Sequence, residues 1–167
     1  MKVFKSIFLT VMIVFASASV FAQDEAAAIN TYNEALELVG SKSFDAAISK
    51  FQEAIKLADE VGNADIKERS TKQIPQLYYQ KAVASFNTFR SQKSLDALEQ
   101  AIADFQVSYD KGKEYSDSDI ESRSVRVIAQ LYYTKGTMLL KQEDYMGADA
   151  EFDKAIEINP NYAKAYY

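Results

Sequence analysis

The chain has 167 residues with only two prolines and five glycines, and nearly half of its residues are apolar. This length allows one domain of ordinary size, and the composition is rich in helix formers. The sequence contains no histidine and no cysteine, which excludes disulfides, a lipid anchor on an N-terminal cysteine, histidine-based acid–base catalysis, and the usual zinc and copper sites.

The first 22 residues have the order of a secretory signal peptide. Lys2 and Lys5 come first, an apolar run follows, and small residues lead to an expected cleavage between Ala22 and Gln23. The alternative is a membrane anchor, but the run is short for a span and polar residues follow at once. Cleavage leaves 17 basic and 24 acidic residues, a net charge of −7, which argues against nucleic acid and anionic membranes as partners. We therefore expect a periplasmic or secreted protein.

Helical periodicity divides the remaining chain into pairs of helices. The expected helices cover residues 28–40, 43–62, 64–90, 94–109, a segment that begins near 119, and 144–158. Their expected stop signals are Gly40, Gly62 and Gly112, and their expected N-caps include Asn63 and Asp117.

Part of the chain repeats itself. Residues 65–81, DIKERSTKQIPQLYYQK, match residues 119–135, DIESRSVRVIAQLYYTK, at ten of seventeen positions with an offset of 54. Such self-similarity indicates stacked supersecondary units. Pro75 predicts either a kink or a break in its helix, and the equivalent Ala129 favours the kink.

The last pair of helices resembles a tetratricopeptide repeat. The residues that carry this resemblance are Tyr132, Gly136, Leu139, Tyr145, Ala148, Phe152, Ala155 and Pro160. The first pair matches the family in its second helix through Phe44, Ala47, Phe51 and Ala54, although Thr31 stands where a bulky residue is expected. The middle segment, from Pro75 to Gly112, matches least well.

The resemblance implies an all-α fold, a right-handed α-solenoid of about three helical hairpins and the start of a fourth. The expected organisation is a signal peptide over 1–22 and a repeat domain over 23–167, with units at 28–62, 64–115, 117–160 and 161–167. At Gly136, Ala148 and Ala155 the helices must approach closely, so that larger side chains would not fit.

The sequence writes a pair of tyrosines three times, at 78–79, 132–133 and 166–167. Neighbouring residues on a helix point about 100° apart, so the two rings cannot serve one surface. The resemblance implies that Tyr78, Tyr132 and Tyr166 pack inside the hairpins. Their neighbours would line a concave partner-binding groove formed by Tyr32, Tyr79, Val83, Phe86, Tyr133, Thr137 and Tyr167.

A non-enzymatic exported scaffold that binds a protein or peptide in this groove is the function that the resemblance implies. Tyrosine, valine and threonine side chains occupy the positions where some family members clamp the carboxylates of an acidic tail, which argues against that ligand. The alternative is a small-ligand or glycan-binding protein that stacks its ligand on the groove tyrosines. We expect no catalytic residue, cofactor or metal.

Two acidic clusters have simpler explanations than a metal site or a catalytic site. Asp117, Asp119 and Glu121 resemble the start of a calcium loop but lack its glycine and distal glutamate, and acids also suit a helix N-terminus. The second cluster, Asp144, Asp149, Glu151 and Asp153, is expected on a solvated face rather than in a glycosidase site.

The C-terminal helices predict an apolar stripe that the sequence does not cap. This stripe consists of Met146, Ala150, Ala155, Ile158, Tyr162 and Tyr166. Because a solenoid needs a polar outer face at its end, the stripe suggests a fragment of a longer array, or an end that a second copy or a partner covers.

Overall fold

The computed structural model describes residues 25–162, and every regular element within them is a helix. Helix α1 covers residues 25–40. The other helices are α2 (Phe44–Val61), α3 (Ala64–Gln92), α4 (Leu95–Glu114), α5 (Ser118–Leu140) and α6 (Tyr145–Ile158). The expected signal peptide over 1–22 and the last tyrosine pair lie outside the described residues. The all-α fold class is therefore confirmed.

Side chains cap the helices at several predicted positions. Asn63 Oδ1 accepts a hydrogen bond from the Ile66 amide, and Asp117 Oδ1 accepts one from the Ile120 amide, both at 3.0 Å. Gly62 closes α2 in a left-handed conformation with φ 71°, which glycine adopts without a steric penalty.

The expected stop at Gly112 is wrong, because α4 continues to Glu114. Gly112 instead allows a close approach to the start of α5. A Cβ atom on this residue would lie 2.8 Å from the Glu121 amide nitrogen. The absence of a side chain is therefore a packing requirement here and not a helix signal.

Pro75 lies inside α3, which is a single continuous helix from Ala64 to Gln92. This agrees with the favoured expectation that the helix continues through the proline, and the alternative of a break is wrong. The chain nevertheless forms two compact units that divide between Gln73 and Ile74, directly before the proline.

The first unit has a core of small and aromatic side chains. Tyr32 from α1 and Phe51 from α2 meet edge to face, with ring centroids 5.6 Å apart. The other buried apolar residues of this unit are Ala28, Ala35, Ala47, Ile48, Ala54, Ala58 and Ile66. Alanines recur at helical spacing along α2, so this helix presents a narrow apolar face to its neighbours.

The second unit packs α4 on α5 and α5 on α6. Its core cluster consists of Ala82, Phe89, Ala97, Leu98, Ala101, Ile102, Phe105, Ile128 and Leu131. A Cβ atom on Gly136 would lie 2.5 Å from Phe152 Cε1 and 3.0 Å from the Ala148 carbonyl oxygen. The predicted close approach of helices at Gly136 is thus confirmed.

Much of the expected C-terminal stripe is covered inside this unit. Ala155 is buried, and Ile158 packs against the core cluster. Tyr162 meets Tyr133 edge to face, with ring centroids 5.9 Å apart. Met146 and Ala150 remain exposed. Self-association through this end stays a prediction.

Four turns between helices contain a residue other than glycine in the left-handed conformation. These residues are Lys42, Lys93, Ser116 and Glu143, with φ values between 54° and 63°. Such residues reverse the chain within two to four positions, so that consecutive helices pack as hairpins. Among residues 25–162, no helix is both long and apolar enough to cross a membrane.

Candidate functional site

Tyr32 is buried in the first unit and does not line an open surface. Beside its contact with Phe51, its ring face is covered by Arg69, whose Cζ lies 4.6 Å from the ring centroid. Arg69 in turn pairs with Asp65 one turn earlier at 3.3 Å. The expected groove position of Tyr32 is corrected, because α2 and α3 enclose its ring.

The second unit repeats this arrangement around Tyr79. Its ring meets Phe105 edge to face at 5.5 Å between centroids, and Arg123 Cζ lies 4.1 Å above it. Arg123 pairs with Asp119 at 3.1 Å. The phenylalanine, arginine and aspartate each lie 54 positions after their equivalents in the first unit. The two copies of the repeat therefore share these side-chain contacts as well as their sequence.

Tyr133 follows the same pattern in the last hairpin. Its ring packs against Phe152 with centroids 5.5 Å apart, and Tyr162 covers another side. Burial and the neighbouring Tyr133 raise the pKa of Tyr162 above its usual value. The second tyrosine of each described pair therefore packs on the phenylalanine of its own hairpin.

The first tyrosine of each pair is half-buried and meets a lysine. Lys111 Nζ lies 5.6 Å from the ring centroid of Tyr78, and Lys154 Nζ lies 5.7 Å from that of Tyr132. Each lysine comes from the second helix of the same hairpin. Tyr132 packs against the core cluster, as expected for an inner tyrosine, but in the preceding hairpin Tyr79 does so and not Tyr78.

The remaining predicted groove residues lie on the faces of α3 and α5. Val83 and Phe86 are half-buried and pack against the core cluster. Thr137 is half-buried, and its hydroxyl donates a hydrogen bond to the Tyr133 carbonyl at 2.9 Å. Tyr167 lies outside the described residues.

One turn beyond these residues, the structure forms a cavity of about 680 Å³. The side chains that line it include Phe89, Arg90, Lys93, Thr134, Met138 and Lys141. Arg90 Cζ lies 6.0 Å from the ring centroid of Phe86, so the cavity adjoins the predicted groove. This cavity was not predicted from the sequence, although the basic residues at the ends of two long helices are a signal for it.

The second acidic cluster also differs from its prediction. Asp149 and Asp153 are exposed as expected, and Asp144 caps α6 through the Gly147 amide. Glu151, in contrast, is buried. Its Oε1 atom lies 3.2 Å from Lys135 Nζ and 3.0 Å from Lys154 Nζ, while no described residue forms a hydrogen bond with its Oε2 atom.

Lys135 connects three helices through this network. It also pairs with Glu99 of α4, at 2.8 Å. Burial lowers the pKa of Lys135, but hydrogen bonds to Glu99 and Glu151 outweigh it, and the pKa is raised. Within residues 25–162, no group of histidine, cysteine, aspartate or glutamate side chains could hold a metal ion. The network therefore has the geometry of an internal ion pair.

The short turns, the paired helices and the repeated tyrosine contacts define a helical-repeat protein. Residues 129–162 match the family model of the tetratricopeptide repeat. The last hairpin is therefore such a repeat, and the all-helical fold fits a protein built from these repeats. Repeats of this family generally mediate protein–protein interactions and typically belong to non-enzymatic scaffolds. Searches for similar curated proteins and for similar solved structures found no significant match.

Proposed function

We propose that the chain is an exported, non-enzymatic scaffold that binds a protein or peptide partner in a groove between α3 and α5. The family match supports a protein partner. The observation that carries the proposal is the cavity of about 680 Å³ that continues the half-buried faces of these two helices. Ligand-binding pockets in proteins usually have volumes of several hundred cubic ångströms.

Contacts within the structure favour a peptide over a glycan. A sugar ring stacks on an open aromatic face, but Arg123 covers a face of Tyr79 and Phe152 packs against Tyr133. The groove offers half-buried aliphatic and aromatic side chains between helices, which suit an extended chain. A glycan array compared with a peptide library discriminates between the two ligand classes.

The absence of enzymatic activity is part of the proposal. The buried carboxylate of the described residues, Glu151, is bound to two lysines, which leaves it poorly placed for acid–base catalysis. The half-buried groove face carries no carboxylate at positions 79, 83, 86, 133 or 137.

A capture experiment with matched variants tests the partner proposal. Purified residues 23–167 carry a photocrosslinker in the groove and are incubated with envelope extract. We expect Thr137→Arg to lose the captured protein, and Met146→Arg, at a side chain that is 88% exposed, to retain it. Circular dichroism confirms that both variants fold, and Thr134→Arg provides a second variant on the same helix. Equal capture by all variants would contradict a groove between α3 and α5.

Export has its own test. Expressed from its natural N-terminus in a Gram-negative host, the protein should reach the periplasm and lack its first 22 residues. Fractionation followed by N-terminal sequencing measures both. Material that retains Met1 and sediments with membranes would show that the N-terminal segment is an anchor.

A further inference from the structure

Three basic side chains surround the cavity without an acidic partner. Arg90 lies in the last turn of α3, Lys93 in the following turn, and Lys141 at the end of α5. All three are exposed. Among residues 25–162, no carboxylate forms an ion pair with any of them, whereas Lys111 and Arg123 of the same unit are paired.

The helix ends explain only part of this charge. A helix C-terminus carries about half a negative elementary charge, and basic side chains in its last turn are favourable. Two helix ends therefore offset about one of the three positive charges. The whole chain has 24 acidic and 19 basic residues, yet no carboxylate lines the cavity. The remaining positive charge points to an anionic ligand.

The floor of the cavity is apolar. Phe89 is only 9% exposed and belongs to the core cluster, and Met138 packs against that cluster. Methionine adapts its shape to a varied apolar partner. A purely ionic ligand would leave this floor uncovered. The chemistry therefore suits a ligand that carries negative charge beside a hydrophobic group.

The length of the surface favours a chain over a compact anion. The predicted groove residues begin at Tyr79 and the cavity ends at Lys93, which are 14 positions apart on α3 and its following turn. At 1.5 Å per residue this is about 21 Å, the length of roughly six residues of extended peptide at about 3.3 Å each.

We propose that the cavity receives an acidic peptide segment of the partner protein. A hydrophobic side chain of that segment contacts Phe89 and Met138, and flanking carboxylates lie among Arg90, Lys93 and Lys141. This inference rests on the proposed function and specifies its partner. The contact is distinct from a carboxylate clamp in the middle of the groove, because Val83 and Thr137 occupy that part.

Nuclear magnetic resonance titration tests the proposal on the intact mature chain. One probe is a pool of hexapeptides with acidic and hydrophobic residues at alternating positions, and a matched pool carries asparagine and glutamine in place of the acids. We expect the acidic pool to shift amide signals within 89–93 and 134–142. Binding should weaken between 50 and 300 mM salt, because salt screens exposed charges.

A charge-reversal pair supplies the mutational arm. Lys93→Glu/Lys141→Glu should weaken binding of the acidic pool at least tenfold. The control Lys113→Glu/Arg126→Glu changes the net charge equally at two exposed residues of the same unit outside the cavity, and should retain binding within about twofold.

Each outcome separates the inference from the proposed function. Equal shifts with the neutral pool would overturn the acidic partner but leave peptide binding in place. The absence of shifts with both pools would contradict both proposals. Binding of phosphatidylglycerol vesicles or inorganic phosphate at these residues, without binding of the acidic pool, would also overturn the inference. Loss of binding in both charge-reversed proteins would show that net charge alone attracts the peptides.

Discussion

Ser70 and Ser124 occupy equivalent positions in the two copies of the repeat, and both are fully buried. The Ser124 hydroxyl shares a hydrogen bond of 3.0 Å with Ser108, but the Ser70 hydroxyl has no hydrogen-bond partner within residues 25–162. The position 54 residues before Ser108 is Ala54, which offers no hydroxyl. A buried hydroxyl without a hydrogen bond costs free energy. The first copy of the repeat therefore contains one of the two serines but not the hydrogen bond between them.

We predict opposite effects for the two serines. Ser70→Ala should leave the free energy of unfolding unchanged or raise it by up to about 1 kcal/mol, because it removes an unpaired polar group. Ser124→Ala should lower it by about 1–2 kcal/mol, because it leaves Ser108 unpaired. Urea unfolding measures both. A loss of equal size at the two positions would mean that Ser70 has a partner.

The tyrosine pair of α3 gives a second prediction. Tyr79 packs on Phe105 and belongs to the shell of the core cluster, whereas Tyr78 meets a lysine. Tyr79→Ala should cost about 2–3 kcal/mol, less than a fully buried aromatic residue, and Tyr78→Ala about 1 kcal/mol, because its cation–π contact is weak. Urea midpoints in the opposite order would restore the inner role first expected for Tyr78.

Lys135 offers a test of the buried ion pair. Lys135→Met should cost about 2 kcal/mol at pH 7, since it leaves Glu151 with one partner, and adding Glu151→Gln should recover part of the loss. Lys72→Met, at a side chain that is 71% exposed, should have a much smaller effect, because exposed ion pairs contribute little to stability. If the double variant does not regain any of the lost free energy of unfolding, packing of the lysine stem matters more than its charge.

The pH dependence follows from the raised pKa of Lys135. A group whose pKa is raised by folding contributes full stability below its unfolded value, near 10.5, and loses the contribution as the pH rises through the folded value. The difference between wild type and Lys135→Met should therefore be constant near neutral pH and shrink above pH 10.5.

At the scale of helices, Gly136 sets the distance between α5 and α6. Gly136→Ala should cost about 1–3 kcal/mol, because the new methyl group would contact Phe152 and the backbone at Ala148. Gly40→Ala is the matched control, since nothing lies within 4 Å of its Cβ position. Thermal unfolding by circular dichroism compares them. Equal melting temperatures would show that α6 can shift at little cost.

The helices themselves were largely predictable from the sequence, because periodicity and capping are local properties. Asn63 and Asp117 act as caps through residues three positions away. Gly112 misled the prediction since a glycine that ends a helix and one that admits a neighbouring helix look alike in sequence. Pro75 did not mislead it, because the equivalent Ala129 indicated that the repeat contains an unbroken helix at this position.

The roles of the tyrosines and of Glu151 could not be predicted in the same way. They depend on how each helix is rotated against its neighbours, which sequence spacing fixes only approximately. A rotation of about 100° exchanges Tyr78 with Tyr79. The cavity depends on side chains that are 41 to 53 positions apart, such as Arg90 and Lys141, and no local pattern joins them.

At the scale of the whole molecule, the division between Gln73 and Ile74 predicts local unfolding. Repeat proteins gain stability from each unit and its nearest neighbours. Gly136→Ala should therefore accelerate amide hydrogen exchange in α5 and α6 much more than in α2. Mass spectrometry of exchanged peptides measures this directly. Equal acceleration across α2, α5 and α6 would show that the chain unfolds as a single cooperative unit.

The residues in the left-handed conformation at the turns are sites where substitution can raise the stability of the protein. Lys42, Ser116 and Glu143 hold a backbone conformation that glycine adopts at lower cost. Glycine at these three turns relieves backbone strain of the order of 1 kcal/mol each, and none of the three lines the cavity. Lys93 shares the conformation but supplies a cavity cation. A thermostabilised protein for partner screening can therefore be engineered at three turns while the fourth stays native.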